Sequence, residues 1–434
     1  MKRVLSLTIV SLLFFTVTGG TMSSKNMVNV KDFGAIGDGL FLDTRYIQNA
    51  LNTGKVVYFP AGVYRTGTLY LRSGGGLHLS PNALILGSKY PEDYNATNFD
   101  KRNSFSVSER ASGAHLIIAR DCTDITISGS GTICGNRNGI FNTDLIHAPN
   151  GNRPRYVLPR WRTGAMLYFL GSKNIKIEGV NLSDPAYWTA FFHDCDNVSI
   201  DRIMISTDRL TNNSDGLDID CCRNVKVTNC TIFSGDDAIA IRGASRRLKK
   251  DAECSGITVD NCILSSAACA VRIGVGSGTI RDCKLTNLKI VNSAVGIGIC
   301  PSYSSGVCTK INNVEFDHIN IDAVQALRLV PNWQSDIEDP AIKPVSNLSF
   351  RNITATSTEA SLIVFPKKAG IFKNISIKDS VFTLLPNGVA PGSRHWTGAE
   401  YGIINQLGDS GEDILINCKG ISPENKPLLQ KKSR

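Results

Sequence analysis

Five aspartates fall within residues 211–243, and their type and spacing suit acid–base chemistry: Asp215, Asp218, Asp220, Asp236 and Asp237. Three of them stand in NSDGLDID and two in SGDDAIAI, so each group adjoins a short run in which apolar residues alternate with others. Such alternation predicts β-strands. Carboxylates that share one cleft repel one another and shift each other's protonation, which is typical of catalytic sites. The alternative, that Asp beside Gly only makes turns, stays open for Asp218 and Asp220.

The elements that would bring these aspartates together are short strands that repeat along the chain. From residue 174 onward the phrase Asn or Gly, then apolar-x-apolar, recurs every 23 to 34 residues, with these first apolar positions: Ile175, Val198, Val225, Ile257, Leu288, Val314, Leu348 and Ile375. Several short strands per repeat, without helices, predict an all-β parallel β-helix that forms one domain over residues 27–420. A β-propeller would need repeats of about 40–50 residues and a more even period. In a β-helix equivalent strand ends lie one above the other, so the two aspartate groups would share a cleft.

The first residues have the layout of a secretory signal peptide. Lys2 and Arg3 precede an apolar run from Val4 to Val17, and small residues follow. The run is too short to span a membrane comfortably, which disfavours a membrane anchor. We therefore expect residues 1–21 to be removed and the mature protein to be secreted or periplasmic, without a membrane span.

The segment VNVKDFGAIGDGLFLDTRYIQNAL predicts a strand, a glycine-rich turn and an amphipathic helix. Asp43 or Thr44 is the expected N-cap of this helix. Ile47, Ala50 and Leu51 would then share one helical face. A helix at this place can cap the open end of a β-stack, which would otherwise expose a sheet edge.

The composition is that of an ordered, soluble and basic protein. The chain has 434 residues, of which 42% are hydrophobic and 20% charged, so it can bury a large core. Its formal charge of +9 falls by two, to +7, without Lys2 and Arg3, which favours acidic polymers such as uronate or sulfated polysaccharides as partners. No interleaving of aromatic and basic residues supports nucleic acid as a partner. We expect a monomer with a flexible basic tail at residues 421–434.

The 13 cysteines are an odd number, and several stand inside the repeats: Cys195, Cys230, Cys262 and Cys283. Export would permit disulfides. Cysteine at repeated positions nevertheless acts as a small apolar filler, so we expect mostly free, buried thiols, and one or two bridges stay open. No CxxC pair or histidine cluster has zinc spacing, and no metal or cofactor is expected.

Several motifs together resemble those of the polygalacturonase-like glycoside hydrolases of family 28. They are VKDFGAIGDGLFLDTRYIQNAL and VVYFPAGVY near the N-terminus, DPAYW before the aspartates, and the acidic motifs NSDGLDID and SGDDAIAI. The resemblance covers nearly the whole mature chain and implies a right-handed parallel β-helix and an inverting hydrolase that needs no metal. It implies that Asp236 is the general acid and that Asp215 and Asp237 hold and deprotonate the attacking water. Inverting chemistry agrees, since it needs an acid and a base about 6.5–9.5 Å apart on opposite sides of the sugar.

The positions at which that family grips its substrate differ in this sequence. Cys269 in ACAVRIG stands where the family has His, and VGIGICPS places Gly298 and Cys300 where it has Arg and Lys. Because guanidinium groups bind carboxylate or sulfate bidentately, arginines in the neighbouring strands are candidate substitutes. We therefore predict the following substrate contacts, Trp188 by stacking on a sugar ring: Arg272, Trp188, Arg242, Arg328 and Cys269. A solvated or ladder-paired arginine and a core tryptophan stay open as alternatives.

Taken together, the sequence predicts an exported inverting glycosidase that cleaves a pectic or other polysaccharide or oligosaccharide, acidic ones included. An insertion at residues 136–163, rich in Arg and aromatic residues, is expected to fold over one end of the groove and favour attack at chain ends. Two other classes stay open. One is a Ca²⁺-dependent polysaccharide lyase on the same fold, with the aspartates as metal ligands and Arg272 as base. The other is a non-catalytic glycan-binding β-helix.

Overall fold

Short strands wind into a coil over most of the chain. The computed structural model describes residues 27–95, 102–103, 109–148, 153–245, 248, 252–333, 339–359, 361–363, 366, 370–385 and 415–421. Strands pair in parallel with the equivalent strands of the preceding and following rungs. The result is three parallel sheets around one core, and the predicted right-handed parallel β-helix is confirmed.

Each rung contributes one strand to each sheet. The first sheet contains Met27–Asn29, Val56–Phe59, Gly76–Leu79, Thr123–Gly129, Lys173–Glu178, Asp196–Asp201, Arg223–Thr228, Glu253–Asp260, Phe372–Lys378 and Leu415–Ile416. The second contains Asp38–Leu42, Gly62–Thr66, Ala83–Gly87, Thr132–Cys134, Asn181–Ser183, Met204–Ser206, Thr231–Ser234, Ile263–Ser266, Val381–Leu384 and Lys419–Ile421. The third contains Leu69–Tyr70, Ile117–Arg120, Leu167–Leu170, Ala190–His193, Leu217–Asp220, Ile239–Gly243, Cys269–Gly276 and Leu362–Ile363.

Three long strands run past the corners between sheets. Thr279–Cys300 and Lys310–Leu329 run through all three sheets, and Val345–Glu359 runs through the first two. Two antiparallel hairpins leave the coil, Ile146–His147 with Arg155–Tyr156 and Ser302–Ser304 with Val307–Cys308. The helices are α1 (Thr44–Leu51), α2 (Arg137–Ile140) and the 3₁₀ segments Val30–Phe33 and Pro91–Asp93.

The core consists of columns of side chains that stack from rung to rung. In the first sheet one such column is in register along these positions: Ile125, Ile175, Val198, Val225, Ile257, Cys283, Val314, Leu348 and Ile375. Aromatic rings stack in the same way, with centroids 4.8 Å apart for Phe169 and Phe192 and 4.7 Å apart for Phe316 and Phe350. These columns explain why the sequence repeats its apolar positions, since each residue packs on its own equivalent.

One predicted repeat position is wrong. Leu288 is not in this column, because Cys283 pairs with Ile257 on one side and Val314 on the other. Leu288 lies in the second sheet, where it pairs with Ile319. The physical reason is that a left-handed residue precedes both positions of this rung, Asp282 before Cys283 and Asn287 before Leu288, so that here the Asn phrase marks the second strand.

Asparagines at the rung corners form hydrogen-bonded ladders. Asn197 Nδ2 donates to Asn174 Oδ1 at 2.8 Å, and Asn261 Nδ2 donates to Asn229 Oδ1 at 2.7 Å. These residues have φ values between 51° and 58°, a left-handed region that Asn tolerates better than most residues. The repeated Asn therefore has a backbone role and a ladder role at the corner.

Helix α1 is present where the sequence predicts it. Asp43 is the N-cap residue, but its carboxylate accepts hydrogen bonds from the backbone N–H groups of Ile36 (2.7 Å) and Gly37 (2.8 Å) instead of from the helix. The side chains of Ile47, Ala50 and Leu51 are buried against the first strands, as expected. The capping role of the helix stays a prediction.

All 13 cysteines are free thiols, and eleven of them are buried. Cys195 and Cys222, and likewise Cys230 and Cys262, stack on each other through backbone N–H···Sγ contacts of 3.4 Å. The prediction of mostly free, buried thiols is thus confirmed. Over the described residues, no helix is both long and apolar enough to cross a membrane. The predicted signal segment 1–21, and the predicted tail apart from Ile421, lie outside the described residues.

Candidate active site

The five aspartates lie together along one side of the third sheet. Leu217–Asp220 pairs with Ile239–Gly243, so the turns that precede these two strands stack. The backbone N–H of Gly216 donates to the carbonyl of Asp237 at 2.9 Å. This hydrogen bond holds the turn that contains Asp215 directly against the turn that contains Asp237. Glycine is needed in both turns, because a Cβ on Gly216 would overlap the carbonyl of Ala238 and one on Gly235 would overlap Ser214 Oγ.

Asp215 and Asp237 are buried carboxyl groups. Asp215 is 5% exposed, and its burial, followed by the charges of Asp218, Asp236 and Asp237, raises its pKa well above the ordinary value. Burial also raises the pKa of Asp237, although the nearby Arg272 guanidinium opposes that rise. Mutual repulsion of clustered carboxylates, expected from the sequence, is therefore present at these positions.

Arg272 forms a buried ion pair with Asp237. Its Nε donates to Asp237 Oδ2, while the backbone N–H of Cys269 donates to Asp237 Oδ1 at 3.1 Å. The Arg272 guanidinium also stacks on Trp333, 4.0 Å from the ring centroid. Arg272 therefore holds a candidate catalytic carboxylate, and Cys269, which is 1% exposed, contributes its backbone to the same group.

Trp333 fills the space above Gly298. A Cβ on Gly298 would lie 3.1 Å from the Trp333 ring and 3.0 Å from Cys269 Sγ, so the ring rests directly on this glycine. Arg328 stacks on the same ring, 4.3 Å from its centroid. Arg272, Gly298 and Arg328 are in register in three consecutive rungs. An Arg–Trp–Arg stack thus lies over Gly298.

Arg242 forms ion pairs with the other two aspartates. Its Nη1 lies 3.2 Å from Asp218 Oδ1 and its Nε lies 3.6 Å from Asp220 Oδ2. Burial raises the pKa of Asp218 to about 8 against the opposing charge of Arg242. The guanidinium also lies 4.6 Å from the ring centroid of Trp188. Trp188 in turn stacks on Tyr187 and meets Phe191 edge to face. The predicted contact residues Arg242 and Trp188 are thus partners of each other, and their contact with substrate stays a prediction.

Asp236 is the most accessible of the three predicted catalytic carboxyl groups. Its side chain is 17% exposed, and two arginines of the insertion reach it. Arg155 Nη1 donates to Asp236 Oδ2 at 3.2 Å, and Arg153 Nη2 lies 3.6 Å from the same oxygen. The backbone carbonyl of Asp236 accepts 2.5 Å hydrogen bonds from the hydroxyls of Ser234 and Ser266, which fix the turn. Sequence reasoning placed the insertion near the groove but did not predict these contacts.

Arg162 is a further residue whose role sequence reasoning missed. Its side chain is fully buried, and its Nη1 donates to the carbonyl of Asn212 at 2.7 Å. Its Nη2 donates to Asn213 Oδ1 at 2.8 Å and to the carbonyl of Glu109 at 2.7 Å. The Glu109 carboxylate in turn accepts from the Tyr187 hydroxyl at 2.5 Å. Arg162 therefore ties the loop that leads into Asp215 to neighbouring segments.

His193 lies one rung below Asp220 and is 1% exposed. Burial lowers its pKa, and within the described part of the chain neither ring nitrogen has a hydrogen-bond partner. No group of three or more His, Cys, Asp or Glu residues is arranged to hold a metal ion among the described residues.

Comparisons with known proteins show the family of most of the chain. A sequence model of glycosyl hydrolases family 28 matches residues 90–384, and a model described as rhamnogalacturonase A/epimerase, pectate lyase-like, matches residues 27–75. A probable polygalacturonase of Vitis vinifera is 26% identical over 299 residues, which cover 64% of this chain and 58% of that protein. An exo-poly-alpha-D-galacturonosidase of Dickeya chrysanthemi is 26% identical over 325 residues, 65% of this chain and 53% of that protein. This chain thus spans little more than half the length of these relatives.

Solved structures share the fold. A hyperthermoactive exopolygalacturonase of Thermotoga maritima superposes with a TM-score of 0.70 at 21% identity, with 91% of both chains covered. A polygalacturonase of Erwinia carotovora superposes with a TM-score of 0.61 at 18% identity, with 93% of this chain and 98% of that chain covered.

Proposed function

Because the chain belongs to the glycosyl hydrolases of family 28, we propose that it is an inverting glycosidase of pectic polysaccharides that uses Asp215, Asp236 and Asp237. The observation that carries the proposal is the gathering of these three carboxyl groups on stacked turns of one sheet. Two of them are buried with raised pKa values, and the third is partly exposed in the cleft.

The three environments suit three different tasks. Asp236, the exposed member, donates a proton to the glycosidic oxygen as the bond between C1 and that oxygen breaks. Water attacks C1 from the opposite side and forms the new C1–O bond, which inverts the configuration. Burial raises the pKa of Asp237, but Arg272 limits that rise, so Asp237 is the group better able to be ionised and to take the proton of the water. Asp215, whose pKa is raised further, orients the water by a hydrogen bond.

We also propose that the protein acts after export, in the periplasm or the medium. The signal-like segment at residues 1–21 supports this proposal. A pectic polymer lies outside the cytoplasm, so export would bring enzyme and substrate together. The insertion that contacts Asp236 supports a groove closed at one end and hence attack at chain ends.

The experiment that tests the function is a digestion screen with the mature protein and three isosteric variants, Asp215→Asn, Asp236→Asn and Asp237→Asn. Asp144→Asn is the matched control, because Asp144 is exposed on the insertion. Pectic, sulfated and neutral oligosaccharides are followed by new reducing ends and by the ultraviolet absorbance of unsaturated products. We expect reducing ends from pectic substrates, of inverted configuration by NMR, with a loss of about 10²-fold or more in the three site variants.

Other outcomes would replace the proposal. Unsaturated products that require Ca²⁺ would identify a lyase and contradict the roles given to the three aspartates. Binding of glycans without cleavage, unchanged in Asp236→Asn, would identify a binding module. Equal activity of Asp144→Asn and Asp236→Asn on a cleaved substrate would place the chemistry elsewhere.

A further inference from the structure

The insertion presents two arginines to the cleft from a firmly held position. Arg155 belongs to the strand Arg155–Tyr156, which pairs with Ile146–His147, and Arg153 lies two residues before it. The backbone N–H of Tyr156 donates to the carbonyl of Leu210 at 2.9 Å. The Tyr156 hydroxyl donates to Asp208 Oδ2 at 2.9 Å. Arg155 is thus attached to the loop that precedes the catalytic aspartates, although it is 81 residues from Asp236 in sequence.

These two guanidinium groups have many more donors than protein acceptors. Each carries five N–H donors, yet the hydrogen bonds between described residues include one from the pair, that of Arg155 to Asp236. Nη1 and Nη2 of Arg153 are buried without a hydrogen-bond partner within the described residues, and Nη2 reaches Asp236 at ion-pair distance. Two cations therefore share one carboxylate, and most of their donors have no acceptor among the residues that the structure describes.

Two other cations of the cleft are already engaged. Arg272 is paired with Asp237, and Arg242 is paired with Asp218 and Asp220. Arg162, which also acts electrostatically on Asp236, donates to backbone carbonyls and to Asn213. Among these ion pairs, the cations outnumber the carboxylates only at Asp236, which Arg153 and Arg155 share.

The proposed reaction makes this surplus larger. When Asp236 carries the proton that it will give to the leaving oxygen, its negative charge is gone, and both arginines lose their counter-ion. Two partly buried cations without an anion are costly. An anion placed between them removes that cost, and the planar fork of guanidinium fits carboxylate or sulfate oxygens bidentately.

We propose that Arg153 and Arg155 form an anion subsite that takes a carboxylate or sulfate group of the sugar beside the cleaved bond. This inference rests on the proposed hydrolase function and gives its substrate class as an acidic sugar. The anion replaces Asp236 as the partner of the arginines and leaves Asp236 free to act as the acid. The grip on the substrate then comes from the insertion, since Gly298 and Cys300 carry no charge.

The test compares substrates that differ only in charge. Oligogalacturonate is paired with its methyl ester, and a sulfated galactan oligosaccharide is paired with its desulfated form. Binding is measured by calorimetry in the Asp215→Asn background, where turnover is prevented. We expect Arg155→Gln and Arg153→Gln to weaken binding of the charged member of one pair about tenfold or more, as loss of a charged hydrogen bond does. The neutral member should change less than about twofold.

Arg160→Gln is the matched control, because Arg160 is an exposed arginine of the same insertion, and it should leave all four affinities unchanged. The pair that responds identifies the anion as carboxylate or sulfate. Equal weakening of charged and neutral members, no weakening of either, or failure of both charged ligands to bind would overturn the anion subsite.

Turnover of the same pairs separates this inference from the proposed function. Charged oligosaccharides that bind through Arg155 but are never cleaved would leave the subsite standing and refute the hydrolase. Cleavage of charged and neutral members at equal kcat/KM, unaffected by Arg155→Gln, would leave the hydrolase standing and refute the subsite. We expect the loss in Arg155→Gln to appear in kcat/KM for the charged member alone.

Discussion

Arg272→Gln tests whether the buried ion pair with Arg272 keeps the carboxyl group of Asp237 ionised. The substitution removes the guanidinium from a site where the side chains of Arg272 and Asp237 are each 8% exposed. Among the described residues, the backbone N–H of Cys269 then remains as a hydrogen-bond donor to Asp237. Breaking a buried pair by removal of one partner costs about 3–5 kcal/mol, because the other charge stays buried. Arg281→Gln is the control, since Arg281 forms ion pairs with Glu253 and Asp282 at side chains that are 43–44% exposed. Exposed pairs contribute about 0–1 kcal/mol.

The assay is urea unfolding at two pH values, together with activity. Burial raises the pKa of Asp237 and Arg272 lowers it, so the pKa of this carboxyl rises further in Arg272→Gln. The variant can then relieve its buried charge by binding a proton, and its deficit in the free energy of unfolding should be smaller near pH 5 than near pH 8. Its activity should likewise require a higher pH, because the base must be ionised.

Two results would refute this reasoning. The first is a deficit in Arg272→Gln that is no larger than that in Arg281→Gln. The second is a large deficit that does not change with pH, which would mean that the lost stability comes from the stack on Trp333 and not from the charge of Asp237. Arg272→Lys separates the two contributions, since it keeps the charge but loses the planar stacking group.

Three further predictions concern the same cleft. Arg162→Gln should reduce kcat about tenfold or more with a smaller change in KM, since the loop before Asp215 loses two of its hydrogen bonds; unchanged kcat would contradict a positioning role. Stability should fall as the pH rises from about 4 to about 8 and level off above that, because Asp218 has a folded pKa of about 8 and an unfolded value of 3.8, so the folded state holds an extra proton throughout this window. Asp218→Asn should flatten that slope in thermal melts, and a wild-type midpoint that rises through the window would contradict the assignment. Activity should be unchanged within about twofold in a chelator, in contrast with a Ca²⁺-dependent lyase.

The sequence predicts the fold and the aspartate cluster because both follow from the period of the coil. Alternating residues such as Ile175 and Val198 have to pack on their equivalents, so the pattern that makes the core is visible in the chain. Asp215 and Asp237 precede equivalent strands, and the same period that stacks those strands stacks their turns. Strands and turns that stack in the coil are therefore visible as a repeat in the sequence.

Features that do not repeat could not be predicted in this way. Arg155 contacts Asp236 from an insertion, where no period relates the two residues. Arg162 looks like a surface arginine in sequence but is fully buried by carbonyl acceptors that only the folded loops assemble. Leu288 was misplaced because the Asn phrase of its rung stands before the second strand, whereas the first strand follows Asp282. Local pattern identifies the strand type but not its sheet.

The division between stacked turns and an inserted hairpin has a consequence for how such a protein can change. The carboxylates belong to the turns of the coil, where a shift of one residue would disturb the columns above and below. Arg155 belongs to a hairpin outside the coil, Ile146–His147 with Arg155–Tyr156, and Arg153 lies just before its second strand. A change in the length or charge of this hairpin would leave the stacked turns intact. In the proposed hydrolase, preference for one glycan over another would then change by exchange of a loop, while the carboxylates are inherited with the rungs.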